Sequence, residues 1–435
     1  MFKFKNDVIL FIMEGERIYV LISENIPIRK QKNGGDPMSK IRDNRLLSTA
    51  IIVVLAVFVL AGINYIIMQS DEIVYAEGWA DDQPDQYQSY LRNAEMVQTT
   101  FGGSEPYDYL EKYPELKTIY EGVGFDIDYL RARGHVYALE DVINTGRNKA
   151  GASCLACKTA DYVAMEEEHG SDLYAMDFYE MAEEAKTGVS CYDCHRNEPG
   201  VLQITRGHLE KGLEHLEEEH DMKNLVCAQC HIEYYLHPET KEVTVPWKYG
   251  TDVADIEATF IEWNFTDWTH PRTGGDLYKI QHPEFETYLG SVHDNFGATC
   301  VDCHMPQMEN EEGGSYHHSH HWTSPLHTVE SSCMDCHSGS EEDLIAEVEA
   351  LQGEVVEKTA KVTRQLEELI LRIEAEKDAL PEDVREEVYQ LQRSAQVRWD
   401  FVFVENSQGF HNHEKAMAYL READEMIEKA HELMD

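Results

Sequence analysis

The stretch SCLACKTA, residues 153–160, contains the pattern that decides how this chain folds. It places Lys158 directly after a Cys-x-x-Cys pair. Four further stretches repeat the pair with histidine in the fifth position: CYDCH at 191–195, CAQCH at 227–231, CVDCH at 300–304 and CMDCH at 333–337. In Cys-x-x-Cys-His, the two thiols form thioethers with haem vinyl groups and the histidine binds iron. The sequence therefore predicts five covalently bound c-type haems, numbered here in chain order.

All ten cysteines of the chain belong to these five pairs, so none remains for a structural disulfide. Zinc ribbons and redox dithiols also use Cys-x-x-Cys pairs, but zinc geometry does not require histidine directly after each pair. Haem attachment is therefore the favoured interpretation. The predicted attachment residues are Cys154, Cys157, Cys191, Cys194, Cys227, Cys230, Cys300, Cys303, Cys333 and Cys336.

The charge of the chain limits its partners. It has 435 residues, with 37 Lys and Arg against 82 Asp and Glu, a formal net charge of −45. Phosphate binding needs a basic face, so nucleic acid is excluded as a partner. A solvated acidic surface is the simplest interpretation. An anionic substrate would then need a locally positive route to its site.

A membrane segment is predicted at 46–70, where LLSTAIIVVLAVFVLAGINYIIMQS has no charged side chain. As a helix it would span about 37 Å, enough for a hydrocarbon core of about 30 Å. Basic residues precede it and acidic ones follow, which places 1–45 in the cytoplasm and the rest outside, in the periplasm or extracellular space. A cleaved signal peptide is the alternative interpretation. Met38 is a possible true start of the chain.

The exported part divides into two kinds of sequence. Residues 71–340 hold all five motifs and little periodicity, which predicts a catalytic domain of short helices and few strands around a haem-packed core. Residues 341–435 predict long C-terminal helices, the first carrying the apolar stripe Leu344, Val348, Leu351, Val355, Val362, Leu366, Leu369 and Ile373. We expect a mainly α multihaem cytochrome c fold. The stripe favours a dimer interface, with an intramolecular hairpin as the alternative.

Each low-spin haem needs two axial ligands, and the motif histidines His195, His231, His304 and His337 supply one each. Candidates for the second ligand lie among glycines and aromatic residues: His135, His293, His320 or His321, and His411. Lysine carries a proton unless iron competes for its lone pair. A haem with a different ligand at one face is the one that keeps its other face open for a substrate. Haem 1 is thus the candidate reaction site, unless its motif has drifted and Lys158 points to solvent.

One Cys-x-x-Cys-Lys followed by four Cys-x-x-Cys-His, with CAQCHIEYY at motif 3 and KIQHPEFE before motif 4, closely resembles the ammonia-forming pentahaem cytochrome c nitrite reductases. The likeness runs from about Gln86 to the GFHNH stretch near 411. It implies that Lys158 binds the iron of haem 1, with Arg147, Tyr234 and His282 at its distal face. It also implies a calcium ion held by the side chains of Glu233 and Gln281 and the carbonyls of Tyr234 and Lys279, and second ligands His320, His135, His411 and His293 for haems 2 to 5.

The function that the resemblance implies is the six-electron reduction of nitrite to ammonium, with four bis-histidine haems feeding the lysine-ligated one. Arg147 and a cationic His282 would hold the anion and polarise an N–O bond, and calcium would add local positive charge. Family members receive electrons from a membrane multihaem quinol dehydrogenase, and we expect the same donor and a homodimer here. A non-catalytic multihaem electron carrier is the alternative function, and a multihaem enzyme with more haems is disfavoured by the count of five motifs.

Overall fold

This computed structural model describes residues 3–4, 7–14, 17–23, 72–310 and 313–435. The chain divides into two compact units, Met1–Asp71 and Glu72–Asp435. In the first, the short strands β1 (Lys3–Phe4), β2 (Asp7–Glu14) and β3 (Arg17–Ser23) pair antiparallel in the order β1-β2-β3. The predicted membrane segment 46–70 lies outside the described residues, and within them no helix is long and apolar enough to cross a bilayer.

The second unit is mainly helical, as the sequence predicts. Its α-helices are α1 (Pro84–Leu91), α2 (Tyr109–Lys112), α3 (Leu116–Ile119), α4 (Ala138–Asn144), α5 (Tyr162–His169), α6 (Phe178–Ala182), α7 (Cys191–His195), α8 (Gly207–Leu213), α9 (Met222–Ala228), α10 (Val253–Glu262), α11 (Glu284–Tyr288), α12 (Val292–Phe296), α13 (Cys300–His304), α14 (Val329–Ser332), α15 (Glu341–Glu376), α16 (Glu382–Phe403) and α17 (His413–Met434). Single 3₁₀ turns lie at Ala76–Trp79, Arg92–Ala94, His135–Tyr137, Ala152–Leu155, Gly170–Ala175 and Pro325–His327.

Strands in this unit form three small antiparallel ribbons. They are β4 (Tyr235–Leu236) with β5 (Val243–Thr244), β6 (Trp268–Thr269) with β7 (Asp276–Leu277), and β8 (Gln307–Glu309) with β9 (Tyr316–His318). Motifs 2 and 4 are the short helices α7 and α13, and the other three motifs lie at or just after the end of a short helical segment instead of in a sheet. Capping boxes start α7 and α13, where Ser190 pairs with Asp193 and Thr299 with Asp302. Short capped helices fix the thiols and the following histidine on one turn.

The long helices α15, α16 and α17 pack into a bundle, and the unit continues without a break from Glu72 to Asp435. The lower part of the predicted apolar stripe, including Val362, Leu366 and Ile373, is fully buried in the core of the same chain. Its upper part, Leu344, Val348 and Leu351, faces the central cavity. The lower part of the stripe is therefore covered within the chain, because α16 and α17 turn back on α15, and the dimer stays a prediction.

One buried cluster joins the bundle to the rest of the unit. Asp400 of α16 accepts hydrogen bonds from the Tyr120 hydroxyl, from Lys279 Nζ at 3.0 Å and from the backbone N–H of Ile280 at 3.0 Å. Lys279 and Asp400 are both buried, so this ion pair is shielded from solvent. The cluster fixes the backbone at 279–281, which the resemblance places at the calcium site.

Candidate active site

A single large cavity of about 2260 Å³ runs through the second unit, and all ten cysteines line it. None of the ten forms a disulfide. Divided among five sites, the volume is about 450 Å³ each, within the roughly 300–1,000 Å³ of ordinary ligand pockets. The residues present therefore fit a row of five macrocycles attached through the cysteine pairs.

Eight histidines line this cavity as four facing pairs. The ring centroids are 6.2 Å apart for His195 and His320, 5.9 Å for His231 and His135, 6.2 Å for His304 and His411, and 6.1 Å for His337 and His293. Imidazole nitrogen binds a metal ion at about 2.0–2.1 Å, so two rings on opposite sides of one iron have centroids about 6 Å apart. The four pairs are the ones that the resemblance implies, and His320, not His321, faces His195. That each pair holds one iron stays a prediction.

Contacts at the Nδ1 atoms orient these histidine rings. His195 Nδ1 lies 2.9 Å from the Val201 carbonyl, His304 Nδ1 3.1 Å from that of Thr323, and His320 Nδ1 2.9 Å from that of His318. An Nδ1–H that donates to a carbonyl leaves Nε2 unprotonated and free to bind a metal. Nδ1 of His411 lies 2.6 Å from Glu405 Oε1 in the same way.

Lys158 also lines the cavity, just after the 3₁₀ turn Ala152–Leu155. Its Nζ finds no hydrogen-bond acceptor among residues 72–310 and 313–435. Burial is the main cause that lowers the pKa values of His135 and His282, and the positive charge of Lys158 adds to it, so Lys158 lies within electrostatic range of both rings. A free amine that faces the cavity beside Cys154 and Cys157 is suited to bind the iron of haem 1.

Arg147 lies on the loop after α4, and several contacts hold this loop. The backbone N–H of Gly146 donates to Asp128 Oδ2, and Lys149 Nζ donates to the carbonyl of Arg147 at 2.7 Å. The Arg147 guanidinium stacks over the Phe125 ring at 4.0 Å. Burial lowers the pKa of Arg147 from its ordinary value, partly offset by neighbouring acidic and phenolic groups. Stacking on Phe125 fixes the plane of the Arg147 guanidinium, while the N–H groups at the edge of that plane stay free to donate hydrogen bonds.

Tyr234 and His282 complete the wall on the side of haem 1. Burial raises the pKa of the Tyr234 phenol well above its ordinary value, and the charge of Arg147 partly offsets this. Burial likewise lowers the pKa of His282 to about 4, although the nearby Glu284 favours its charged form. The His282 side chain is 39% exposed toward the cavity, so the cationic form that the resemblance implies stays a prediction.

Glu284 is a site residue that the sequence alone did not identify. Its Oε2 lies 3.4 Å from Nδ1 of His231 and its Oε1 lies 4.0 Å from Nδ1 of His282. The His231 and His282 rings are 6.2 Å apart, with this carboxylate at their Nδ1 edges, so their contact differs from that of the facing pairs. Asn406 holds Glu284 Oε1 through its backbone and side-chain N–H groups. The KIQHPE stretch, where Glu284 follows His282 by two positions, was the available signal.

The predicted calcium residues meet behind Tyr234. Glu233 is fully buried, and its Oε2 accepts the Gln281 backbone N–H at 2.6 Å while its Oε1 has no partner. Gln281 Nε2 donates to the Lys279 carbonyl at 3.0 Å, which places that amide and that carbonyl side by side. Burial raises the pKa of Glu233 well above its ordinary value. An orphaned buried carboxylate oxygen beside amide and carbonyl oxygens fits a hard divalent cation.

Two more acids surround this position: Glu286, which is fully buried, and Asp267, which is exposed to the cavity. Glu286 Oε1 accepts the Glu233 backbone N–H and the Trp247 indole N–H, both at 2.8 Å, and Asp267 Oδ2 accepts the Lys279 N–H at 2.7 Å. Burial raises the pKa of Glu286 to about 8. In the described part of the chain no three His, Cys, Asp or Glu side chains converge on one ion position. The cradle thus depends on one carboxylate together with amide and backbone oxygens.

The family model for cytochrome c552 matches residues 76–435 of this chain. Cytochrome c-552 of Bacteroides fragilis is 33% identical over 353 residues, which cover 77% of this chain and 71% of the relative. Cytochrome c-552 of Aliarcobacter butzleri is 31% identical over 383 residues, covering 81% and 76%. Among solved structures, the cytochrome c nitrite reductase of Desulfovibrio desulfuricans superimposes with a TM-score of 0.76 at 27% identity, over 83% of this chain and 86% of that one. That structure is described with two calcium sites in its catalytic subunit.

Proposed function

This chain belongs to the cytochrome c552 family and is a cytochrome c nitrite reductase, and we propose that it reduces nitrite to ammonium at a haem held by Lys158. The observation that carries the proposal is the contrast within the cavity. Four motifs have a histidine facing the motif histidine, whereas the first has lysine, and Arg147, Tyr234 and His282 line the same cavity. Five covalent haems, one at each cysteine pair, are part of the proposal.

The residues around haem 1 suit an anion that loses both oxygens. Nitrite takes up six electrons and eight protons and yields one ammonium ion and two water molecules. Arg147 binds the anion through its free guanidinium edge, while Phe125 holds the other face of that side chain. The charge of the bound anion favours the protonated form of His282, which can deliver a proton to an oxygen that leaves.

The bound groups supply what side chains cannot. Haem supplies redox-active iron and stored electrons. Calcium on Glu233 and Gln281 would fix the backbone that carries Tyr234 and His282 and would add positive charge next to them. A cationic pocket inside an acidic protein answers the requirement for a local route that attracts an anion.

The first test is electron paramagnetic resonance of the oxidised holoprotein with and without nitrite. We expect a high-spin ferric signal that changes with nitrite, beside low-spin signals from the four paired haems. Five low-spin signals that ignore nitrite would mean that haem 1 is closed, and would favour the non-catalytic electron carrier instead.

Replacing His282 with Asn tests the proton donor. We expect nitrite turnover to fall about 100-fold or more, the range for loss of a general acid, while haem content stays at five. His270→Asn is the matched control, because His270 is buried, bonds the Thr118 carbonyl at 2.8 Å and does not line the cavity. Equal turnover in the His282 variant and wild type would show that His282 does not act in the reaction.

Membrane attachment and the electron donor belong to the same proposal. The uncharged stretch 46–70 supports the anchor. The donor is proposed because members of the family that the chain resembles receive electrons from a membrane multihaem quinol dehydrogenase. We expect the protein to need detergent for release from membranes and to retain 46–70. Release by salt alone would contradict the anchor, and reduction by quinol in membranes that lack any multihaem dehydrogenase would contradict the donor.

A homodimer is proposed on the outer faces of the long helices, since their inner stripe is already buried. Leu371 of α15 remains 43% exposed there. Sedimentation at micromolar concentration should show twice the mass of the 50.0 kDa chain with its haems. A single species at the mass of one chain would contradict the dimer.

A further inference from the structure

Arg206 is a buried guanidinium behind the wall of the haem cavity, with only 1% of its surface exposed. It does not line the cavity, so it touches neither substrate nor macrocycle. It follows Thr205, just before α8, and lies outside all five haem motifs. Charged side chains are rarely buried so completely unless several partners satisfy them.

Four of its five N–H groups donate to named acceptors, and backbone carbonyls in motif 1 and directly after it accept two of these hydrogen bonds. Arg206 Nε donates to the Ala156 carbonyl at 2.5 Å, and Nη2 donates to the Thr159 carbonyl at 3.0 Å. These carbonyls flank the dipeptide Cys157-Lys158. A planar guanidinium that bonds both carbonyls fixes the backbone from which the Lys158 side chain projects.

The same guanidinium is tied to motif 2. Its Nη2 forms a buried ion pair with Asp193 Oδ1, and its Nη1 donates to the Thr205 hydroxyl at 2.8 Å. Asp193 also closes the capping box of α7 by accepting the Ser190 backbone N–H at 2.8 Å. The position of Arg206 is thus set by the helix that carries the haem 2 histidine.

Motif 3 joins through Gln229. Its Nε2 donates to the Asp193 carbonyl at 2.7 Å, and its Oε1 accepts the Thr205 backbone N–H at 3.0 Å. Ala156, Asp193 and Gln229 occupy the same place in their motifs, directly before the second cysteine. Three successive haem motifs therefore meet at one buried hydrogen-bond network with Arg206 at its end.

We propose that Arg206 is a positioning residue that holds the Cys157-Lys158 backbone against motifs 2 and 3, so that Lys158 stays on the iron of haem 1. A histidine ligand has two side-chain torsions, whereas lysine has a flexible four-carbon stem, so the lysine site needs more help from its backbone. This inference rests on the proposed function only for its turnover measurement. Its spectroscopic readout is independent of nitrite.

The experiment compares Arg206→Lys and Arg206→Gln with wild type as full-length holoproteins. Lysine keeps the charge but cannot bond both carbonyls in one plane. We expect the signal of haem 1 in electron paramagnetic resonance to change in both variants while the four low-spin signals stay. Nitrite turnover should fall about 10- to 100-fold, the usual effect of removing the support of a metal ligand, with little change in KM.

A double-mutant cycle separates positioning from general damage. In a Lys158→His background the ligand no longer depends on the flexible stem, so Arg206→Lys should alter the haem 1 signal much less than in wild type. Equal changes in both backgrounds, equal shifts of all five haem signals, or no change at all would overturn the proposal.

Arg398→Gln is the matched control. Arg398 is buried and paired with Glu257 at 2.8 Å and Glu422 at 2.6 Å, but it contacts no haem motif. This variant should keep all five signals. If Arg206→Gln fails to mature, mass spectrometry of the Arg206→Lys peptides decides: missing haem at Cys154 and Cys157 alone supports the proposal, and equal loss at motifs 1, 2 and 3 overturns it. If the haem 1 signal of the Arg206 variants equals that of wild type, and wild type reduces nitrite normally, the positioning role of Arg206 is refuted and the proposed function stands.

Discussion

The C-terminal bundle and the haem-binding region of this protein differ in what fills their interiors. In α15, α16 and α17, Leu366, Ile373, Val388 and Leu420 are fully buried against one another. Between 72 and 340, by contrast, the centre is a cavity of about 2260 Å³ bounded by the haem motifs. The bundle is packed by side chains throughout, whereas the haem-binding region has side-chain cores at its periphery and a central volume that only cofactors can fill.

The largest expected effect comes from omitting the haems. Without haem a cavity of this size would fill with water, and the apolar side chains that line it would lose the packing that the macrocycles provide. We expect chain made without haem attachment to lose protection from hydrogen exchange across 72–340 and to keep most of it in 341–435. Equal loss in both regions would show that the bundle depends on the haems as well.

The next effect should come from the ion pair that joins the two regions. Asp400→Asn leaves the buried Lys279 ammonium without its partner, which should lower the free energy of unfolding by about 3–5 kcal/mol. Denaturation followed both by helix ellipticity and by haem absorbance should show both transitions shifted. Glu387→Gln is the control, since its pair with Lys429 is exposed and should contribute at most about 1 kcal/mol.

A smaller effect should remain inside the bundle. Leu366→Ala removes a fully buried side chain and should lower the free energy of unfolding by about 2–5 kcal/mol without changing the haem spectra. Leu371→Ala, on the exposed face of the same helix, should cost less than about 0.5 kcal/mol. Altered haem spectra in the Leu366 variant would show that the two regions are less separate than their cores suggest.

The smallest predicted effect depends on pH. Asp424 accepts hydrogen bonds from Lys358, Lys361 and Gln365, and these partners lower its pKa to about 2. A carboxyl with a lowered pKa stabilises the fold above its unfolded pKa, near 3.9, and this contribution is lost as pH falls toward 2. Asp424→Asn should therefore cost about 1 kcal/mol at pH 7, after allowance for solvent screening. The difference from wild type, measured by chemical denaturation, should vanish as pH falls from 4 to 2.

Membership in the nitrite reductases, which the motif order and the KIQHPEFE stretch predicted, is confirmed by the family match and by the solved relative. The mainly α fold with long C-terminal helices is confirmed too. The site residues, the calcium ligands, the anchor and the dimer stay predictions. The stripe on α15 shows where the sequence was ambiguous, because an apolar face has the same pattern whether its own chain or a second copy covers it.

The sequence by itself determined the chemistry: covalent motifs have fixed spacing, since two thiols and one ligand must reach the same haem from one turn of chain. It could not identify the partners that lie far along the chain. His320 rather than His321 facing His195, Glu284 between two imidazoles, and Arg206 bonded to motif 1 depend on contacts across many residues. Such contacts leave no local periodicity. Only the tertiary structure decides them, because burial brings together groups that must satisfy each other's charge and hydrogen bonds.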